Sequence, residues 1–175
     1  ILTSQSPRRK QILEEEGFEF RIFPIEISEI LNKNLNLPDQ ISDCARQKVE
    51  AAKQSPKLPK LKDILLLGAD TEVVFKDQVL GKPKNDQHSL DILNQLSGQV
   101  HEVITGFCLF DLASERLILG HEITSAEFRK LTQNEIKAYI ASGDGRDKAG
   151  SYGIQGPAGQ FVKQFSGSMT NVIGL

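Results

Sequence analysis

The sequence predicts an α/β fold: a mixed β-sheet with flanking helices. Segments with helical spacing alternate with strand-like runs along all 175 residues. Two pairs of runs, meeting at Lys76-Asp77 and at Ala113–Arg116, are close enough in sequence to be hairpins. Alternation of helix and strand favours crossovers, and hairpins demand antiparallel neighbours. A mixed sheet satisfies both, and a purely parallel doubly wound sheet does not. The length allows one domain over residues 1–175, or two small lobes around a cleft.

Taken in order, Ser6 is a good N-cap and Pro7 a good first helical residue, so Pro7–Glu16 reads as a helix closed by Gly17. Phe18–Ile27 alternates and reads as a strand. Glu26–Asp39 is polar and Asn-rich, a loop; Ile41–Gln54 is a helix with Ile41, Ala45, Lys48 and Ala52 on one face. Ser55–Lys62, with Pro56, Pro59 and several lysines, is an exposed loop. Ile64–Leu67 is a short apolar run and reads as a buried strand. A hairpin over Val73–Leu80 and a helix over Gln87–Leu96 follow, then strands over Val100–Leu112 and Leu117–Phe128. Thr132-Gln133-Asn134-Glu135 is a capping box that opens a helix ended by Gly143. Phe161–Phe165 and Asn171–Ile173 read as short strands.

A net charge of −2 gives no electrostatic case for nucleic acid or an anionic membrane as partner. Any positive site must be local, which favours a small anionic ligand. No run is long enough to span a bilayer, and no signal peptide is visible, so the expected location is cytoplasmic. Cys44 and Cys108 read as buried free thiols. The chain does not start on Met and stops at Ile173-Gly174-Leu175, which leaves room for a further terminal element.

Four features suggest chemistry. Arg8 and Arg9 fall in the first turn of a helix, the positive end of its dipole, where cations are disfavoured unless an anion binds or they turn to solvent. Asp70, in Gly68-Ala69-Asp70-Thr71, follows the apolar strand, where α/β sheets hold ligands. It can serve as a metal ligand, as a general base or in an Asx turn. Lys82 sits between Gly81 and Pro83, held on a turn where it could neutralise a phosphate, whereas Lys48 lies on a helical face and could simply snorkel. Eight of the 14 glycines fall between Gly143 and Gly174. That density fits either backbone close to a ligand or a cluster of turns, with Gln155 able to read a base edge through its amide. No P-loop, zinc motif or Ser-His-Asp pattern is present; His88, His101 and His121 are scattered.

Together, five motifs in order resemble the Maf family of nucleoside triphosphate pyrophosphatases. They are Ser4-Gln5-Ser6-Pro7-Arg8-Arg9, Gly68-Ala69-Asp70-Thr71, Gly81-Lys82-Pro83, the run Leu96-Ser97-Gly98 with His101, Val103, Thr105 and Gly106, and Asp147–Gly156. The resemblance implies an elongated mixed sheet with flanking helices and a cleft between two lobes. It implies hydrolysis between the α and β phosphates with a divalent metal, Mg²⁺ or Mn²⁺, and by branch a preference for dTTP and UTP over 7-methyl-GTP. Housecleaning of nucleotide pools follows as the role. The alternative is a nucleotide-binding regulator of cell division and septum formation in which hydrolysis is incidental. By the same resemblance Asp70 is the proton acceptor and Arg8, Thr71 and Gln155 govern substrate choice. Ser6, Arg9, Lys48 and Lys82 contact phosphate, and Glu29 and Asp70 hold the metal, with Glu26 able to replace Glu29. The expected partners are the nucleotide and a second copy in a homodimer. Asp144-Gly145 stands where the family has Glu-Pro, which implies a more flexible approach to the Gly-rich loop.

Overall fold

A computed structural model describes residues 1–61 and 63–175. The end of the expected Ser55–Lys62 loop therefore lies outside the described residues. Helix α1 spans Pro7–Glu15, α2 Leu37–Gln54, α3 Asp86–Leu96, α4 Gln133–Ser142 and α5 Met169–Ile173. Strands β1 (Leu65–Phe75), β2 (Gln78–Val79), β3 (Val100–Asp111), β4 (Leu117–Phe128) and β5 (Val162–Ser166) form one sheet in the order β2-β1-β3-β4-β5. The sheet is antiparallel, as the pairs β1·β2 and β4·β5 show, and parallel pairing enters only through isolated bridges of Leu2, outside these strands, to Leu67 and Ile22; the α/β class with flanking helices is as expected. No helix among the described residues is long and apolar enough to cross a membrane.

Most helix ends follow their local chemistry. Asn36, Asn85 and Thr132 cap α2, α3 and α4 through their side chains, and the Thr132–Glu135 box is complete. The hairpin between β1 and β2 turns on Lys76 and Asp77, both at positive φ, the geometry that matches strand twist in a two-residue turn.

Three elements differ from the sequence-based expectation. Phe18–Ile27 forms no strand: only Ile22 bridges Leu2, while Phe18 and Ile22 face solvent. Pro24 has no N–H to extend the pairing. Asn171–Ile173 is helical, because Ser168 accepts from the Asn171 and Val172 N–H groups and starts a helical turn. The Asn171 amide instead donates to the Val103 carbonyl and to Thr124 Oγ1. Finally, β1 does not stop at Leu67 but runs to Phe75, so Asp70 is mid-strand. Gly68 is the reason: a Cβ there would collide with the Ala45 carbonyl, so glycine lets the strand pass directly beneath α2.

The chain divides into two compact units. The first comprises Ile1–Asp70, Thr105–Glu122 and Gly174–Leu175; the second comprises Thr71–Ile104 and Ile123–Ile173. In the first, Ala45, Val49 and Ala52 of α2 pack on Ile64 and Leu66 and on Cys108 and Phe110 of β3. In the second, an aromatic-rich core joins Ile92, Leu93, Leu96, Phe128, Ile136 and Phe161. Each fully buried large side chain of this kind contributes about 1.5–3 kcal/mol.

The Gly-rich tail belongs to the second unit and is a chain of turns, Ala149–Ser151 and Pro157–Phe161. Several of its glycines meet the tail's own backbone: a Cβ on Gly145 would strike the Ser151 carbonyl, and one on Gly159 the Ile154 carbonyl. Asp144-Gly145 is also tied down. Asp144 accepts from the Tyr139 hydroxyl at 2.9 Å, and its carbonyl accepts from Lys148 Nζ.

Candidate functional site

Strand alternation places Leu66, Gly68 and Asp70 on one face of β1. Gly68 lies against Ala45 and Val49, and Lys48 comes from the same face of α2. The Lys48 ammonium therefore reaches Asp70. Its Nζ donates to Asp70 Oδ1 at 2.6 Å and to the Ala69 carbonyl at 3.2 Å, and pairs with Glu29 Oε1 at 3.0 Å. The lysine side chain is only 12% exposed and that of Asp70 18%, so Lys48 turns inward and does not snorkel. Such a pair stays in place only with further hydrogen bonds and charges, which Ala69 and Glu29 supply. Glu29, from the loop before α2, is the residue brought here. Glu26 instead accepts from Gln5 Nε2 at 2.9 Å.

Ser6 caps α1 by accepting from the Arg9 N–H. Arg9 is buried: its Nε donates to the Gly174 carbonyl at 2.8 Å and its Nη1 to Ser4 Oγ at 3.0 Å. Burial pulls its pKa down to about 10, Asp70 and Glu29 oppose that shift, and Arg8 reinforces it. The guanidinium thus stays charged at neutral pH. Of the two outcomes foreseen for this arginine, turning to solvent is ruled out. Ser4 and Gly174, which hold it, carried no expected role; Ser4, a hydroxyl beside the N-cap, was the legible one. Arg8 is half-buried.

The first unit therefore contains Ser6, Arg8, Arg9, Glu29, Lys48 and Asp70, with Lys48 in direct contact with both Glu29 and Asp70. Thr71, Lys82 and Gln155 belong to the second unit. Thr71 is half-buried in β1, Lys82 is exposed after Gly81 at positive φ, and Gln155 is exposed in a turn.

Asp70 Oδ1, Glu29 Oε1 and the Ala69 carbonyl surround one cationic atom, a hard-oxygen set of the type that Mg²⁺ or Mn²⁺ takes. Among the described residues, no group of three or more His, Cys, Asp or Glu side chains could hold a metal. Two carboxylates completed by phosphate oxygens and water suit Mg²⁺, which keeps several waters and is held with substrate phosphates. The residues present fit such an ion.

Other reactive groups are structural. Burial pushes the Cys44 and Cys108 thiols up to about 11, so neither is a nucleophile at neutral pH. His101 in β3 shares a 2.8 Å hydrogen bond with the Tyr152 hydroxyl, and burial pushes it down to about 4.

The sequence model of one protein family, described as Maf-like protein, matches residues 1–175. A protein of Bdellovibrio bacteriovorus named dTTP/UTP pyrophosphatase is 49% identical over 175 residues, covering 100% of this chain and 91% of its own length. Proteins of the same name from Alkaliphilus metalliredigens and Colwellia psychrerythraea are 41% and 42% identical, again over 100% of this chain and over 88% and 82% of their own lengths. With a family match from end to end and relatives this similar along their length, the chain belongs to the Maf family.

Proposed function

We propose that the protein is a nucleoside triphosphate pyrophosphatase that hydrolyses dTTP and UTP to the monophosphate and pyrophosphate. The observation that carries this reading is the Lys48 ammonium held between Asp70 and Glu29, beside the buried Arg9 charge, in a member of the Maf family. The names of the full-length relatives supply the substrates.

Asp70 accepts a proton from the attacking water. An O–P bond forms at the α-phosphorus, and the bond to the α–β bridging oxygen breaks, with pyrophosphate as leaving group. Lys48 fixes Asp70 Oδ1 so that the carboxylate is already oriented. Arg8, Arg9, Lys48 and Lys82, with Ser6 at the α1 N-terminus, balance phosphate charge, which is most of what phosphoryl transfer requires. Glu29 and Asp70 would hold Mg²⁺ or Mn²⁺, and such an ion supplies charge neutralisation of the triphosphate. Arg8, Thr71 and Gln155 select the base. The work belongs in the cytoplasm with the nucleotide pools, as housecleaning. A homodimer is part of the reading; the exposed run Leu117-Ile118-Leu119 of β4 supports it, and sedimentation measures it.

A panel of UTP, dTTP, CTP, ITP and GTP, with products resolved, tests the proposal. Monophosphate and pyrophosphate from UTP and dTTP, abolished by EDTA, are expected. Nucleoside diphosphate and orthophosphate as main products, or faster cleavage of ITP than UTP, overturn it.

A further inference from the structure

Lys48 and Gln47 are consecutive in α2 and grip consecutive residues of the preceding loop. Lys48 Nζ pairs with the Glu29 side chain. Gln47 takes the backbone of Ile30: its Oε1 accepts from the Ile30 N–H at 3.0 Å, and its Nε2 donates to the Ile30 carbonyl at 2.8 Å. One side-chain amide thus satisfies both polar groups of one residue, as a neighbouring strand would.

The orientation of that amide is fixed from the far side. Gln47 Nε2 also donates to Asp43 Oδ2 at 2.8 Å. Asp43 is held in turn by Arg46, whose Nε donates to Oδ1 at 2.8 Å and whose Nη2 lies 2.7 Å from the same oxygen. A flipped amide would set its NH₂ against the Ile30 N–H and its oxygen against the Asp43 carboxylate. The arrangement therefore requires glutamine, and neither glutamate nor a flipped rotamer serves.

The loop needs this anchor. Ile30 is 74% exposed and Leu31 50%, so its own apolar side chains do not pin it by burial. Glu29 is itself 40% exposed.

We propose that Gln47 is a positioning residue: by holding the Ile30 backbone it sets the Glu29 carboxylate beside Lys48 and Asp70. The role for Glu29 rests on the pyrophosphatase reading; the grip on the loop does not. Support of this kind is worth about 10–100-fold in metal affinity or activity where it has been removed from metal sites.

The test uses the full chain with Gln47→Ala, the near-isosteric Gln47→Glu, Glu29→Gln and the double variant Glu29→Gln/Gln47→Ala. Hydrogen exchange of the Ile30 amide is expected to quicken in both Gln47 variants. Mn²⁺ affinity with a non-hydrolysable UTP analogue, read from the electron paramagnetic resonance signal of free Mn²⁺, is expected to fall about tenfold in Gln47→Ala and in Glu29→Gln. The double variant should lose no more than Glu29→Gln alone, because the two residues act as one unit. kcat/KM for UTP should follow the same pattern. A purely structural Gln47 would lower Tm and add its loss to that of Glu29→Gln. Additive losses, or an Ile30 amide that exchanges as in the wild type, overturn the proposal. Wild-type protein that releases no pyrophosphate from UTP overturns the pyrophosphatase reading instead, while exchange and Mn²⁺ affinity still decide the role of Gln47.

Discussion

The two units each bury a basic side chain, and they treat it in opposite ways. In the first, Arg9 keeps its charge: a carbonyl and a hydroxyl accept from it, and Asp70 and Glu29 counter the cost of burial. In the second, His101 meets no carboxylate among the described residues. It lies edge-on to Phe128 and Tyr152, and burial alone pushes it down to about 4, so it is neutral. A buried base is retained as a charge only where carboxylates and acceptors compensate for lost water. A shifted pKa therefore does not by itself mark a site. Both shifts report burial; what sets Arg9 apart is that Asp70 and Glu29 oppose its shift, whereas no charge among the described residues opposes that of His101. Tyr152, pushed above its ordinary value by burial, repeats the second pattern.

The largest effect should come from the charged unit. Asp70→Asn keeps the size of the side chain and leaves Lys48 its contacts with Glu29 and the Ala69 carbonyl. The fold should survive, and kcat for UTP should fall a hundredfold or more, about 3 kcal/mol of barrier. Steady-state pyrophosphate release measures it. A loss confined to KM would make Asp70 a binding residue, and recovery at high Mn²⁺ would point to metal ligation.

The neutral His101 of the second unit should answer in stability, not in turnover. The folded-state pKa of His101, about 4, lies below its ordinary value of 6.5. Between these values the unfolded chain binds a proton that the folded chain refuses. Stability is thus complete above about pH 6.5 and falls as pH drops toward 4, by about 3 kcal/mol. Urea unfolding across that window should show this slope, and His101→Gln should remove its share. Tyr152→Phe should cost about 1–3 kcal/mol by leaving His101 Nε2 without its partner. Neither variant should change kcat at neutral pH by more than about twofold, the scatter expected of a residue outside the chemistry. A large fall in kcat would end the contrast between the units.

Much of this was legible in the sequence because it is local. The capping box at Thr132, the turn at Lys76-Asp77 and the stop at Gly17 depend on a few neighbouring residues, and each is present. What misled was non-local. Gly68 looks like the end of a strand, yet it is a point where β1 slides under α2, which no neighbouring residue announces. Asn171 lies in a β-compatible run, but its amide is needed by Val103 and Thr124, far away in sequence. At the site, Lys48 and Asp70 could be singled out by spacing and motif. Their contact, and the choice of Glu29 over Glu26, depend on how a loop without regular structure is anchored.

The smallest predicted effect lies in the second unit and sharpens the contrast most. Gln155 is exposed on a turn of the Gly-rich tail, so its amide is hydrated before substrate arrives. The amide offers a donor and an acceptor, and a uracil or thymine edge presents carbonyls around one N–H, so both halves can pair. Because water already satisfies the amide, the net gain is that of an ordinary exposed hydrogen bond, about 1 kcal/mol. Gln155→Ala should therefore lower kcat/KM for UTP and dTTP about fivefold, as that energy implies, and leave GTP unchanged. Such a selective loss would assign a share of base choice to Gln155, apart from the Lys48–Asp70 chemistry of the first unit. An equal fall for UTP, dTTP, CTP and GTP would mean that Gln155 supports the turn or the phosphates. The assignment of base choice to this turn would then have to be redrawn.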